Sequence, residues 1–227
     1  MPGIAKPTSV AADDFLTTIF RFVEEGKPVI SARLAEALGV SPATAFGTVR
    51  RMARDGLIKV SRKKEIALTV AGNKIAEDVI RRHRLAERFL TDVLDLAWHK
   101  AYSEAHRLEH GISQEVADRL VKLLNNPTTC PHGYPIPGSD GYARARHVRS
   151  HLKSLNEVPE GTTVTVKRVP EEDVELLQYL EEHSVSPSWT MKVLDVADFK
   201  GTIALEVDQH EIVISTDTAS KIIVKPN

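Results

Sequence analysis

The chain has one cysteine, Cys130, so no intrachain disulfide can form. Such usage fits a reducing compartment. Aromatic residues are scarce, at 5%, and no apolar run is long enough to cross a bilayer. There is no secretory leader, internal repeat or low-complexity tract, so a soluble, cytoplasmic protein with no membrane partner is expected. The overall charge lacks a strong sign: the formal net is -1 over 227 residues, which excludes a uniformly polybasic binder. The charge is nonetheless uneven. Residues 1–77 hold 12 Lys and Arg against 8 Asp and Glu, a net of +4, which leaves 18 against 23, or -5, for the remainder. A basic front half is a weak pointer to nucleic acid. The length suits two modest domains or three small ones.

Residues 1–11 read as a loose arm. Asp13 is expected to cap a helix through Phe15, Ile19, Phe20 and Val23 that ends near Glu25 at the turn Gly26-Lys27-Pro28. A short helix over 31–38 and the turn Gly39-Val40 follow. Ser41 then reads as an N-cap with Pro42 at the first helical position, and Gly56 stops this third helix after Arg54 or Asp55. Helix, glycine turn, helix is the helix-turn-helix order. Val49 and Met52 are expected in the core, with Ser41, Ala43, Thr44 and Gly47 toward a DNA groove. Arg50, Arg51 and Arg54 can reach phosphates. Residues 57–60 and 66–68 flank the basic turn Ser61-Arg62-Lys63-Lys64, a hairpin wing with a charged tip. A merely solvated arginine face is the competing explanation, and the order of elements argues against it.

The central stretch, 81–113, carries two sets of ligand-type residues. A long helix is expected over about 70–95, which puts His83 and Glu87 on one face. His106, Glu109 and His110 fall at i, i+3 and i+4, and converge in the same way. Two imidazoles and a carboxylate make most of a metal's coordination shell. Three readings stay open at this level: a regulatory metal site, a zinc-dependent hydrolase using His-x-x-Glu-His with Glu109 as general base, or a solvated helix face. A helix over 112–124, with Val116, Leu120, Leu123 and Leu124 on its apolar side, is expected to build a two-fold interface with the long helix that carries Arg81. Residues 125–156 read as loop and linker. Strands over 162–169, 190–196, 202–207, 210–215 and 221–224, around a helix over 171–183, fit a small barrel.

Four segments resemble one family: RMARDGL at 51–57, RRHRLAERFLTDVL at 81–94, EAHRLEH at 104–110 with Ser113 after it, and PHGYPIPG at 131–138. They are similar to the diphtheria-toxin-repressor family of metal-dependent repressors. The resemblance implies a mainly α chain with β: a winged helix-turn-helix domain over 1–72, a helical metal-binding and dimerisation domain over 73–143, a linker over 144–156, and an SH3-like (FeoA-like) β-barrel over 157–227. It places a primary metal site on Asp14, His106, Glu109 and His110. An ancillary site falls on His83, Glu87, Cys130 and His132, with Asp173 as the expected acidic ligand from the last domain. Asp14 matches manganese-responsive members, where iron-responsive ones have methionine. His106 departs from both, which have Glu or Cys there. Tyr102 stands where iron-type members have a further histidine, and Gly47 where they have glutamine. The implied function is a homodimeric, metal-activated repressor and not an enzyme. It would act on a palindromic operator in double-stranded DNA, contacted by Ser41, Ala43, Thr44, Gly47, Arg50, Arg51, Arg62, Lys63 and Lys64. Mn2+ is the expected ion and Fe2+ the alternative, while Zn2+, Co2+ or Cd2+ can substitute in vitro.

Overall fold

Ser9 decides where the first helix begins. In the computed structural model, which describes residues 9–143, 152–183, 185–197 and 201–227, its extended backbone and side-chain oxygen cap α1 (Val10–Glu25) by accepting from Ala12 N. The helix therefore starts earlier than Asp13 alone suggests. Asp13 instead lies in the first turn, where its charge suits the positive end of the helix. Residues 1–8 of the expected arm lie outside the described residues.

The chain forms two compact units, Met1–Arg82 and His83–Asn227. The first contains α1, α2 (Ser31–Ala37), α3 (Pro42–Arg54), the hairpin β1 (Ile58–Val60) and β2 (Ile66–Leu68), and the opening of α4 (Val70–Asp92). Phe15, Leu16, Ile19, Phe20, Leu34, Ala45, Val49, Met52, Ile58 and Ile66 are among its buried apolar residues. Ser41 caps α3 by accepting from Thr44 N at 3.1 Å, with Pro42 first in the helix, as the sequence leads one to expect. The hairpin is antiparallel, Val60 facing Ile66, and its tip carries Arg62, Lys63 and Lys64 in solvent. Thr69 fastens the next helix to this hairpin: its hydroxyl donates to Gly56 O at 2.7 Å and accepts from Gly72 N at 3.1 Å.

The second unit holds the rest of α4, then α5 (Trp98–Leu108), α6 (Gln114–Leu123) and a six-stranded antiparallel sheet in the order β3-β8-β4-β5-β6-β7. Its strands are β3 (Lys153–Ser154), β4 (Thr163–Arg168), β5 (Thr190–Ala197), β6 (Thr202–Val207), β7 (His210–Ser215) and β8 (Ile223–Pro226). Helix α7 (Val174–Glu182) connects β4 to β5, and α8 (Thr216–Lys221) connects β7 to β8. Alternation sets the sheet's inner face: Val164 and Val166 on β4, and Ile203, Leu205 and Val207 on β6, are buried with Leu177 and Leu180 of α7.

Several expected bounds shift for local reasons. The long helix ends at Asp92, and Asp95, expected at its end, is left-handed at φ 53°. Ser113 caps α6, so Ile112 precedes that helix. Ala117 is its buried residue, while Val116 and Leu123 are exposed. Ser215 caps α8, a helix not anticipated, which delays the last strand to Ile223. Part of the expected linker is ordered: β3 pairs with β8, and Leu155 is buried in the sheet's core. Residues 144–151 of that linker lie outside the described residues.

Candidate metal centre

A small turn is held at both ends by one helix. Thr129 and Pro135 form an antiparallel bridge, and Cys130 N donates to Tyr134 O at 2.8 Å between them. Arg84 and Arg88, one turn apart on α4, donate to Pro135 O at 2.7 Å and Thr129 O at 2.8 Å. The Arg84 guanidinium also lies 5.1 Å from the Tyr134 ring. The tip of the turn meets the sheet: Val169 N donates to His132 O at 3.1 Å. Gly133 makes that approach sterically possible. At φ 90°, a Cβ there would stand 1.9 Å from Lys167 O.

These interactions bring Cys130 and His132 onto Glu87, which lies between the two arginines on α4. Glu171, just beyond β4, completes the group. One donor atom from each of Glu87, Cys130, His132 and Glu171 lies within 4.8 Å of the others, and all four residues are buried. Here the structure corrects the sequence-based expectation for the acidic member. Asp173 is not in the group: its carboxylate accepts from Leu176 N at 3.1 Å and so caps α7, an ordinary duty for Asp ahead of an apolar helix. Glu171, two residues earlier, is 4% exposed and 4.0 Å from the Cys130 sulfur. The cap signal in Asp173-Val174-Glu175-Leu176 is present in the sequence and, read strictly, excludes Asp173.

The protonation of this group follows from its neighbours. His132 Nε2 lies 3.1 Å from Trp98 O, and a carbonyl only accepts, so this nitrogen carries hydrogen. Nδ1 is left facing Glu87 Oε1 at 3.0 Å. Burial by itself disfavours charge on both residues. Their mutual attraction outweighs it, raising His132 above its ordinary value and, with His83, holding Glu87 well below the carboxylate range. Burial pushes the Cys130 thiol well up, and the Glu87 and Glu171 charges push it further.

A second group gathers on Glu109, which is 2% exposed. Glu109 follows the last residue of α5 but keeps a helical backbone, so the convergence with His106 in the last turn survives. Glu109 Oε1 is 3.0 Å from His106 Nδ1 and 3.3 Å from His110 Nε2, and Oε2 is 2.6 Å from His83 Nδ1. The other ring nitrogen of His83 is 3.6 Å from Glu87 Oε1. His83 therefore touches both groups, while Tyr102 stacks edge-on against its ring and donates to Glu172 at 2.9 Å. Asp14 is half-buried on α1 in the first unit, and its backbone oxygen accepts from the Thr17 and Thr18 hydroxyls.

All nine residues expected to meet DNA are exposed, on α3 and its cap or at the hairpin tip: Ser41, Ala43, Thr44, Gly47, Arg50, Arg51, Arg62, Lys63 and Lys64. Sequence reasoning misses Phe46, which is 57% exposed among them.

Comparison with known proteins accords with this arrangement. Residues 8–66 match the family description "Iron dependent repressor, N-terminal DNA binding domain", 69–138 match its "metal binding and dimerisation domain", and 153–226 match the FeoA domain. The iron-dependent repressor IdeR of Mycobacterium leprae is 39% identical over 205 residues, covering 87% of this chain and 88% of its own. The diphtheria toxin repressor of Corynebacterium efficiens is 35% identical, covering 93% of each. Among solved structures, a manganese-dependent transcriptional repressor in complex with manganese superposes with a TM-score of 0.86 at 32% identity, over 95% of this chain and 100% of its own. No helix among the described residues is long and apolar enough to cross a membrane. The chain belongs to the diphtheria-toxin-repressor family of transcriptional repressors, whose relatives here include both iron-dependent and manganese-dependent proteins.

Proposed function

We propose that this chain is a metal-activated repressor that binds a palindromic operator as a homodimer, with manganese as its activating ion. The observation that carries the reading is the pair of donor groups, one around Glu109 and one around Glu87, joined by His83. The residue types fit a divalent ion. Glu109 with His106 and His110 offers a carboxylate and two imidazoles, and the other group offers a thiol, an imidazole and two carboxylates. Asp14 is assigned as a further donor on the strength of the family resemblance. Carboxylates at Asp14 and Glu109 suit a hard ion, which favours manganese, while the 39% identity to an iron-dependent repressor keeps iron as the second reading. A bound ion supplies positive charge that draws these donors into one arrangement. His83 orients Glu109 and Glu87, Arg84 and Arg88 hold the Cys130 turn, and Tyr102 fixes the His83 ring. Both Glu109 oxygens face imidazoles, so this carboxylate acts as a ligand rather than as the base of a hydrolase. Val116 and Leu123, exposed on α6, supply apolar surface for a second copy.

The test is operator binding at buffered free Mn2+, Fe2+, Co2+ and Zn2+. Operator affinity should rise with metal, and by linkage DNA should raise metal affinity by the same factor. Binding that ignores all four ions would end this proposal.

The hairpin tip gives a separate expectation. Neutralising Arg62, Lys63 and Lys64 should weaken all DNA sequences alike and reduce the salt slope, by roughly 0.9 for each phosphate no longer neutralised. A changed sequence preference at constant slope would mean that these residues read bases.

Cys130→Ser should remove one class of bound metal and the thiolate-to-cobalt absorption of the Co2+ form, while operator binding only weakens. Loading this group needs the Cys130 proton and one His132 proton to leave, and both pKa values are raised, so affinity should climb with pH. In the metal-free fold His132 acts in the opposite sense and Glu87 in the same one. The stabilising charge on His132 is present below its ordinary value and is lost as pH rises through the raised one. That of Glu87 is present above the ordinary carboxylate value and is lost as pH falls through the depressed one. Melting with and without metal from mildly acidic to mildly basic pH compares the His132 slope with that of metal loading; parallel curves would contradict the assignment.

A further inference from the structure

Helix α3 buries Ala45, Thr48, Val49 and Met52 and turns most of its other residues to solvent. Phe46 lies on that outward side, 57% exposed. The core has no use for it, and an aromatic ring left in water gives up the burial that would favour folding. Single exposed apolar residues are common, so exposure alone means little. Its surroundings are more informative. The next residue is Gly47, and a Cβ built there would meet nothing within 4 Å, so the surface beside the ring is recessed and open. Arg50, one turn on, holds its guanidinium 5.9 Å from the ring centroid. Ser41 and Thr44 precede the ring, and Arg51 follows, all exposed. An apolar ring thus sits in the middle of a polar and basic helix face, in the domain that matches a DNA-binding family.

We propose that Phe46 reads a thymine C5-methyl group in the major groove of B-form DNA. The proposal rests on the DNA-binding reading above and adds a base-specific interaction to it. A recognition helix meets base edges with its N-terminal half, where Phe46 lies. The thymine methyl is the one apolar mark on the major-groove edge, and phenylalanine is among the side chains that read it. Gly47 gives the ring clearance to approach, since any side chain there would stand between helix and base. Arg50, whose guanidinium lies over the Phe46 ring at 5.9 Å, puts a positive charge beside it for the neighbouring phosphate. Thymine is therefore discriminated here by apolar packing rather than by a hydrogen bond.

The experiment uses the full chain loaded with Mn2+ and operator duplexes selected by it from a random pool. Each thymine in turn is replaced by deoxyuridine, which removes only the methyl. The wild type should lose about three- to fivefold in affinity at one thymine of each half-site, the loss expected for a single buried methyl. Phe46→Ala should bind the thymine duplex more weakly and show no difference between thymine and deoxyuridine there. Phe46→Leu should keep part of the preference. Phe46 is exposed, so folding should survive, and circular dichroism and metal uptake confirm it. If Phe46→Ala keeps the wild-type thymine-to-deoxyuridine ratio at every position, Phe46 does not read the methyl, although the DNA-binding reading stands. Failure of the Mn2+-loaded wild type to select any duplex would overturn both.

Discussion

Glu109→Gln will abolish metal-dependent operator binding, lowering affinity at fixed free Mn2+ by on the order of 100-fold or more, since even residues behind a ligand are worth about 10–100-fold. Glutamine keeps the shape of the side chain but removes the charge that three imidazoles now face. Its amide nitrogen also cannot accept, so at least one histidine is left without its acceptor. Helices α1 to α3 and the hairpin belong to the other unit and are unchanged, so weak, salt-sensitive binding to any DNA should persist without metal. Asp14→Ala should give a matching loss of metal response with the dimer intact, as its side chain is only half-buried. Operator titrations at buffered metal, with gel filtration as the control, are the measurement. Wild-type metal dependence in Glu109→Gln would reduce the group to a structural ion-pair cluster.

Gly133→Ala should be the most damaging conservative change in the second unit. A left-handed backbone costs a residue with a side chain about 1–3 kcal/mol. The Lys167 carbonyl oxygen, 1.9 Å from the new methyl, is backbone at a bulge of β4, held between Val166 and Arg168, which both pair with β8. The turn must lift off the sheet, which carries Cys130 and His132 away from Glu171. Denaturant midpoint and Co2+ uptake should therefore fall together. A lowered midpoint with normal Co2+ uptake would show that the turn places neither ligand.

The fold is legible where local chemistry is decisive. Ser41-Pro42 and Gly56 bracket α3 because cap, first-turn proline and left-handed stop each act within a few residues. The hairpin, α4 and most of the sheet follow from periodicity. Less legible are α8 and β3, whose short segments carry little pattern and depend on pairing with distant chain. The same division applies to the donors. His106, Glu109 and His110 converge because of helix geometry alone, and so can be read from spacing. The choice among Glu171, Glu172 and Asp173 depends on which carboxylate the α7 cap consumes and which way the chain turns after β4. Only the folded chain, or a stricter reading of the cap, decides it. Phe46 escapes notice because a phenylalanine in a helix is ordinarily assigned to the core, and its exposure is a property of the tertiary packing.

Cys130 is 1% exposed and its thiol is held protonated by burial and by two carboxylates. The thiolate, not the thiol, reacts with peroxides and disulfides. If the proposed ancillary site uses this sulfur, the metal-free protein keeps it chemically quiet, because its proton stays in place until a cation displaces it. Oxidation of the metal-free protein should then track how often the 129–135 turn opens rather than the intrinsic reactivity of cysteine.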